Sequence, residues 1–242
     1  MKYATIVAVA LAASPAFADG PQPATQLPAV AEPGIVDWSG AYAGLAFGKV
    51  NGASEFCQEN FLDTCGANPT NVELPAPAPN GNAFGVQLGY NWQKGKAVFG
   101  VEFDYSKLNT EGVASSTVDY GCGLIDECVT VLNSAMSLRG RIGFAAGKFL
   151  PFATAGLSRV EVEAGFYGLD PFYSSTHTIS MPVVGLGAEY LIKDNISVKG
   201  EVLSFLDNGN QAFAPDGTCG GQPCGANAIS ATLVRFGVNM HF

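Results

Sequence analysis

Residues 84–106 read Phe84-Gly85-Val86-Gln87-Leu88-Gly89-Tyr90-Asn91-Trp92-Gln93-Lys94-Gly95-Lys96-Ala97-Val98-Phe99-Gly100-Val101-Glu102-Phe103-Asp104-Tyr105-Ser106. In an extended chain, successive side chains leave opposite faces. Phe84, Val86, Leu88, Tyr90 and Trp92 therefore share one face, against Gly85, Gln87, Gly89, Asn91 and Gln93. Beyond the turn at Lys94-Gly95-Lys96, Phe99, Val101, Phe103 and Tyr105 share a face against Gly100, Glu102, Asp104 and Ser106. The stretch predicts a tight hairpin with one large apolar face and one small, polar face.

The same alternation recurs on both sides of this hairpin. Met136, Leu138, Ile142 and Phe144 oppose Ser137, Arg139, Arg141 and Gly143. Val184, Leu186, Ala188, Tyr190 and Ile192 oppose Gly185, Gly187 and Glu189, and after Lys193-Asp194-Asn195 the residues Ile196, Val198 and Val202 oppose Lys199 and Glu201. The last strand sets Thr232, Val234, Phe236, Val238, Met240 and Phe242 against Leu233, Arg235, Gly237, Asn239 and His241. Two strands are less regular. In the first, Ala41, Ala43, Leu45 and Phe47 face outward and Gly40, Tyr42, Gly44 and Ala46 inward. In the fifth, Leu150, Phe152, Val160 and Val162 oppose Arg159, Glu161 and Glu163, with Pro151 at its start or at a bulge. About eight such runs, an even number, fit a closed up-and-down antiparallel barrel with no free edge. Connections alternate between short (Lys94–Lys96, Gly147–Lys148, Lys193–Asn195) and long (Val50–Gly81, Asn109–Cys128, Tyr167–His177, Asn208–Asn227). That asymmetry matches periplasmic turns and external loops.

A soluble lipocalin-like barrel puts its apolar face inside; a membrane barrel inverts this, because lipid is its outer solvent. Here the large aromatics are opposed by glycine and by charges of both signs, and a narrow eight-stranded lumen needs small residues. The expected fold is all-β, an eight-stranded antiparallel transmembrane up-and-down β-barrel. Its lumen then gathers Glu102, Asp104, Arg139, Arg141, Arg159, Glu161, Glu163, Glu189, Lys199, Glu201 and Arg235, with His241 beside them. Charges so confined must pair. Paired, they plug the barrel; an ion path or gate is the competing functional reading.

At the N-terminus Lys2, the apolar run Ala4–Ala13 and Ala16-Phe17-Ala18 have the order of a secretory signal, so residues 1–18 are expected to be cleaved. Residues 19–37, with Pro21, Pro23, Pro28 and Pro33, read as a flexible tether, and 38–242 as the barrel. The chain without residues 1–18 carries 11 basic and 21 acidic side chains, a net charge of −10, which argues against nucleic acid as a partner. Cys57 and Cys65, Cys122 and Cys128, and Cys219 and Cys224 form three local pairs in the long connections. In an exported chain these are disulfide candidates; zinc thiolate sites lack both the C-x-x-C spacing and a nearby histidine.

Reactive chemistry is sparse. His177 has Ser174, Ser175 and Ser180 nearby, the pattern worth testing for a lipid-modifying enzyme, but there is no Gly-x-Ser-x-Gly elbow and no carboxylate partner in sequence. No catalytic, metal or cofactor residues are assigned. Glu55, Glu59, Asp63 and Glu73 in the first long connection and Glu111, Asp119, Asp126 and Glu127 in the second have no Ca²⁺-loop spacing and read as solvated charge, with divalent-ion binding the alternative.

Trp38-Ser39-Gly40-Ala41-Tyr42-Ala43-Gly44, Gly89-Tyr90-Asn91-Trp92 and the closing Val238-Asn239-Met240-His241-Phe242 resemble the opacity-like outer-membrane barrels of alphaproteobacteria, relatives of the OmpA transmembrane domain. The resemblance implies a Gram-negative outer-membrane location, with outer-membrane lipid and lipopolysaccharide as partners. It also implies that Phe242 is the signal read by the barrel-assembly machinery. Its functional range is surface antigen, envelope-stabilising protein or small porin. The leading expectation is a non-enzymatic surface barrel with disulfide-stapled external loops, contributing to envelope integrity; the alternative is a narrow passive porin.

Overall fold

The computed structural model describes residues 36–58, 76–115, 127–167, 172–209, 211–213 and 224–242. They form β1 (Gly40–Gln58), β2 (Asn80–Lys94), β3 (Ala97–Ser115), β4 (Glu127–Phe144), β5 (Phe149–Tyr167), β6 (Phe172–Lys193), β7 (Ile196–Phe205), β8 (Ala212–Phe213) and β9 (Cys224–His241). Each strand from β1 to β7 pairs antiparallel with the next, β7 pairs with β9, and β9 closes the ring on β1. The two-residue β8 only pairs along the outer end of β9. The barrel is therefore eight-stranded, as the alternation predicts.

Its geometry follows from the register. Partners traced from Gly40 pass through Asn91, Gly100, Arg141, Thr154, Gly185, Leu203 and Leu233 and return to β1 at Val50, ten residues farther along. Eight strands with a stagger of ten give a tilt of about 40° and a radius near 8 Å, too narrow for anything but side chains. The short turns at Gly95 and Gly147 need left-handed backbone, with φ of 61° and 62°.

Outward apolar side chains run from Phe84 to Trp92, Met136 to Phe144, Val184 to Ile192 and Val234 to Phe242, nine residues on each descending strand. That is the roughly nine to eleven residues a tilted strand needs to cross the hydrocarbon. Toward the loops the pattern reverses. Val50, Leu108, Leu132, Val160, Ile179, Leu203 and Leu233 are buried in an interior apolar cluster, while Lys49, Lys107 and Arg159 are exposed outside. Above the membrane the outer solvent is water, so polar groups move outward and apolar ones fill the barrel.

This reversal corrects the fifth strand. Leu150, Phe152, Val160 and Val162 do oppose Arg159, Glu161 and Glu163, but the apolar set is the buried one. Arg159 is exposed and Glu161 and Glu163 are partly exposed, so none of the three belongs to the lumen charge network. The lipid-facing residues there are Phe149, Pro151, Ala153, Ala155 and Leu157, and the middle three are too small to announce their face in the sequence. The long connections are also shorter than expected, because β1, β3, β4 and β6 extend to Gln58, Ser115, Glu127 and Phe172.

Candidate functional site

Mid-membrane, the strands bring eight charged side chains into the lumen: Glu102, Asp104, Glu189 and Glu201 against Arg139, Arg141, Lys199 and Arg235. All eight are buried, with four charges of each sign. Arg139 is the hub. Its Nη2 donates to Glu102 and Asp104, each at 2.5 Å, and its Nη1 to Glu201 at 3.1 Å. Lys199 bridges Glu102 and Glu201 at 2.8 Å each. Arg235 reaches Glu201 at 2.8 Å and Asp104 at 3.0 Å, and Arg141 reaches Glu189 at 3.0 Å.

Neutral groups complete the network. The Tyr42 hydroxyl crosses the lumen to donate to Glu102 at 2.7 Å and accepts from Arg141 at 3.0 Å. It has room because the facing residue is Gly89, where a Cβ would collide with the Tyr42 ring. Ser137 donates to Asp104 at 2.9 Å, and Asn239 donates to Glu189 at 2.7 Å. Both polar side-chain atoms of the buried Asn91 amide lack a partner among the described residues.

An apolar layer closes each side of this charged layer. Toward the loops lies the interior cluster described above. At the periplasmic mouth, Trp38 packs with Val98, Ala145, Leu150 and Leu191. Trp38 is fixed from three directions: its backbone N–H donates to Gln93 at 2.7 Å, its indole N–H donates to the Gly147 carbonyl at 3.2 Å, and its ring stands edge-on to His241. Beside it the Ser39 N–H, 2.9 Å from Asp37, holds the Asp37 carboxyl below its ordinary range. Sequence reading found the charged layer but neither apolar cap. The Trp38-Ser39-Gly40 motif leading into β1 is the one trace of the lower cap.

The contacts of His241 are not those of a Ser-His-acid relay. His241 presents the same Nε2 to Ser197, at 2.9 Å, and to Glu189, at 3.3 Å. A Ser-His-acid relay instead needs the two ring nitrogens facing different partners. Ser175 stands 3.2 Å from His177 Nε2, while Ser174 donates to Glu163 rather than serving the histidine. Of the disulfide candidates, Cys65, Cys122 and Cys219 lie outside the described residues, and Cys57 and Cys224 are placed only as backbone positions at the outer ends of β1 and β9. Cys128 is buried and is no free thiol; its expected partner, Cys122, lies outside the described residues. Phe242 lies at the periplasmic end, exposed on the lipid side, with its N–H bonded to the Ala41 carbonyl.

A lipid-facing belt around a polar, charged lumen is the arrangement of an outer-membrane barrel, and residues 4–242 match the outer membrane protein beta-barrel domain family. The chain belongs to this family. Among relatives of this family member, the 31 kDa outer-membrane immunogenic protein of Brucella melitensis is 29% identical over 196 residues, covering 76% of this chain and 77% of that one. The 22 kDa outer membrane protein of Rhizobium leguminosarum is 32% identical over 118 residues, 48% of this chain and 49% of the relative. The crystal structure of OprG from Pseudomonas aeruginosa, at 14% identity, shares the fold with a TM-score of 0.51 over 84% of this chain and 97% of that one. The protein is thus an outer-membrane β-barrel of a Gram-negative bacterium.

Proposed function

We propose that this protein is a non-conducting, non-enzymatic surface barrel that contributes to envelope integrity and presents disulfide-stapled acidic loops to the exterior. The carrying observation is the filled lumen: a charge-balanced layer of eight buried groups held between two apolar layers. A water path needs a continuous polar bore, and Trp38 with Leu150 at one mouth and the Leu132 and Leu233 layer at the other interrupt it. The porin reading has no comparable observation behind it. Three cysteine pairs, Cys57 with Cys65, Cys122 with Cys128 and Cys219 with Cys224, staple connections that contain no lysine or arginine, which leaves a uniformly acidic outer face. Cleavage after Ala18 and assembly through Phe242 are part of the same proposal. Liposomes containing the folded barrel are expected to swell in small neutral solutes no faster than empty ones, and cells lacking it to become more sensitive to detergent. Fast swelling, or a deletion strain with an unaltered envelope, refutes the corresponding half of the proposal.

A further inference from the structure

Every lysine and arginine after Lys2 falls into one of three sets. Arg139, Arg141, Lys199 and Arg235 occupy the lumen. Lys94, Lys96, Lys148 and Lys193 stand at the short periplasmic turns, and Lys49, Lys107 and Arg159 are exposed on the outer wall. Each of these last three follows, by two residues, the last lipid-facing apolar side chain of a rising strand: Phe47, Tyr105 and Leu157.

They also share one height. Lys49 pairs across Asn82 with Asn109, two residues above Lys107, and Lys107 pairs across Ser134 with Glu161, two residues above Arg159. A stagger of ten over eight strands lifts the partner line by about two and a half residues per two strands, so those offsets bring the three bases level. They form a basic collar at the upper edge of the apolar belt.

Beneath part of that collar the lipid-facing wall is hollowed. A groove of about 680 Å³ runs obliquely up the barrel from Phe149 and Tyr190 to Phe47 and Phe84. It follows the partner line Phe149, Tyr190, Val198, Val238, Leu45, and Gly200 contributes no side chain to it next to Phe236. At its upper end Phe84 is paired with both Phe47 and Lys107, and Lys49 lies two residues beyond Phe47. Two cations therefore stand at the mouth of an apolar groove within the membrane belt.

We propose that this groove, with Lys49 and Lys107, binds an anionic lipid of the outer leaflet, namely the lipid anchor of lipopolysaccharide. An acyl chain lies along Phe236, Leu45 and Phe47, and the anionic headgroup sits between the two ammonium groups. Charge selects the occupant. The bases stand where headgroup anions meet the wall, and above them the outer strand ends and the connections carry acid and no lysine or arginine, with Glu55, Glu111 and Glu163 on the strand ends, which repels anions from any higher position. The inference rests on the membrane placement and is independent of whether the lumen conducts.

The test is native mass spectrometry of the refolded full-length barrel, released from detergent after incubation with purified lipid A, phosphatidylglycerol or phosphatidylcholine. The wild type is expected to retain lipid A over phosphatidylcholine. Lys49→Gln/Lys107→Gln is expected to weaken lipid A retention roughly 30-fold, from two lost headgroup contacts. Gly200→Val, which fills the groove with every charge in place, is expected to lower retention of lipid A without changing the heat-dependent gel shift that reports folding. Retention of all three lipids alike, selection of phosphatidylglycerol over lipid A, or lipid A binding unaffected by both variants overturns the proposal.

Discussion

Replacing Arg139 by methionine removes the hub of the lumen network while keeping most of the side-chain volume. In the native barrel its guanidinium meets Glu102, Asp104 and Glu201, all buried. Without it four buried carboxylates face three cations, and leaving a buried charge without its partner costs about 3–5 kcal/mol. The cost is read from equilibrium urea unfolding of the barrel folded into lipid vesicles. The chain holds two tryptophans, and both report on it: Trp38 is buried at the periplasmic mouth and Trp92 faces lipid. Adding Asp104→Asn to Arg139→Met restores three charges of each sign and is expected to recover at least about 1 kcal/mol, because contacting sites are not additive. If Arg139→Met unfolds within about 0.5 kcal/mol of the wild type, the charged layer is solvated and the sealed-lumen reasoning fails.

Trp38→Ala is expected to destabilise the barrel by about 3 kcal/mol through the cavity left in the lower cap, measured by the same urea transition using Trp92. Leu138→Arg, on the lipid face, is expected to cost about 2–4 kcal/mol, whereas Arg159→Gln, at the upper edge, changes stability by less than about 0.5 kcal/mol. Equal effects at the two positions would contradict the belt boundary. Asn91→Leu removes a buried amide with no partner among the described residues and is expected to be neutral or stabilising in the unfolding assay. Peptide mapping of the unreduced protein is expected to recover the local pairs Cys57–Cys65, Cys122–Cys128 and Cys219–Cys224; free thiols or crossed pairs would remove the loop staples.

Strand parity was legible residue by residue. Phe84 to Trp92, Phe99 to Tyr105 and Val234 to Phe242 stand exposed as their alternation required, and Glu102, Asp104, Arg139, Arg141, Glu189, Lys199, Glu201 and Arg235 are inside. Parity says which residues share a face, but not which solvent that face meets. On β5 the outward side within the membrane is Phe149, three small residues and Leu157, then Arg159, Glu161 and Glu163 in water, so a sequence reader looking for a continuous large lipid-facing stripe takes the interior one. The apolar caps escaped for a related reason. Val160, Leu132 and Leu233 lie on strands continuing past the membrane, and nothing in a period of two marks where the bilayer ends. Trp38 precedes β1, and its role depends on Gln93 and Gly147, which only the closed barrel brings beside it.

The central claim is that the lumen is a filled, charge-balanced plug, and single-channel recording of the purified, refolded barrel in a planar bilayer tests it most directly. With insertion verified, the wild type is predicted to leave the membrane electrically silent with its disulfides oxidised or reduced. Steady, reproducible conductance steps would mean that the eight charges line a water path, and would return the protein to the class of small porins.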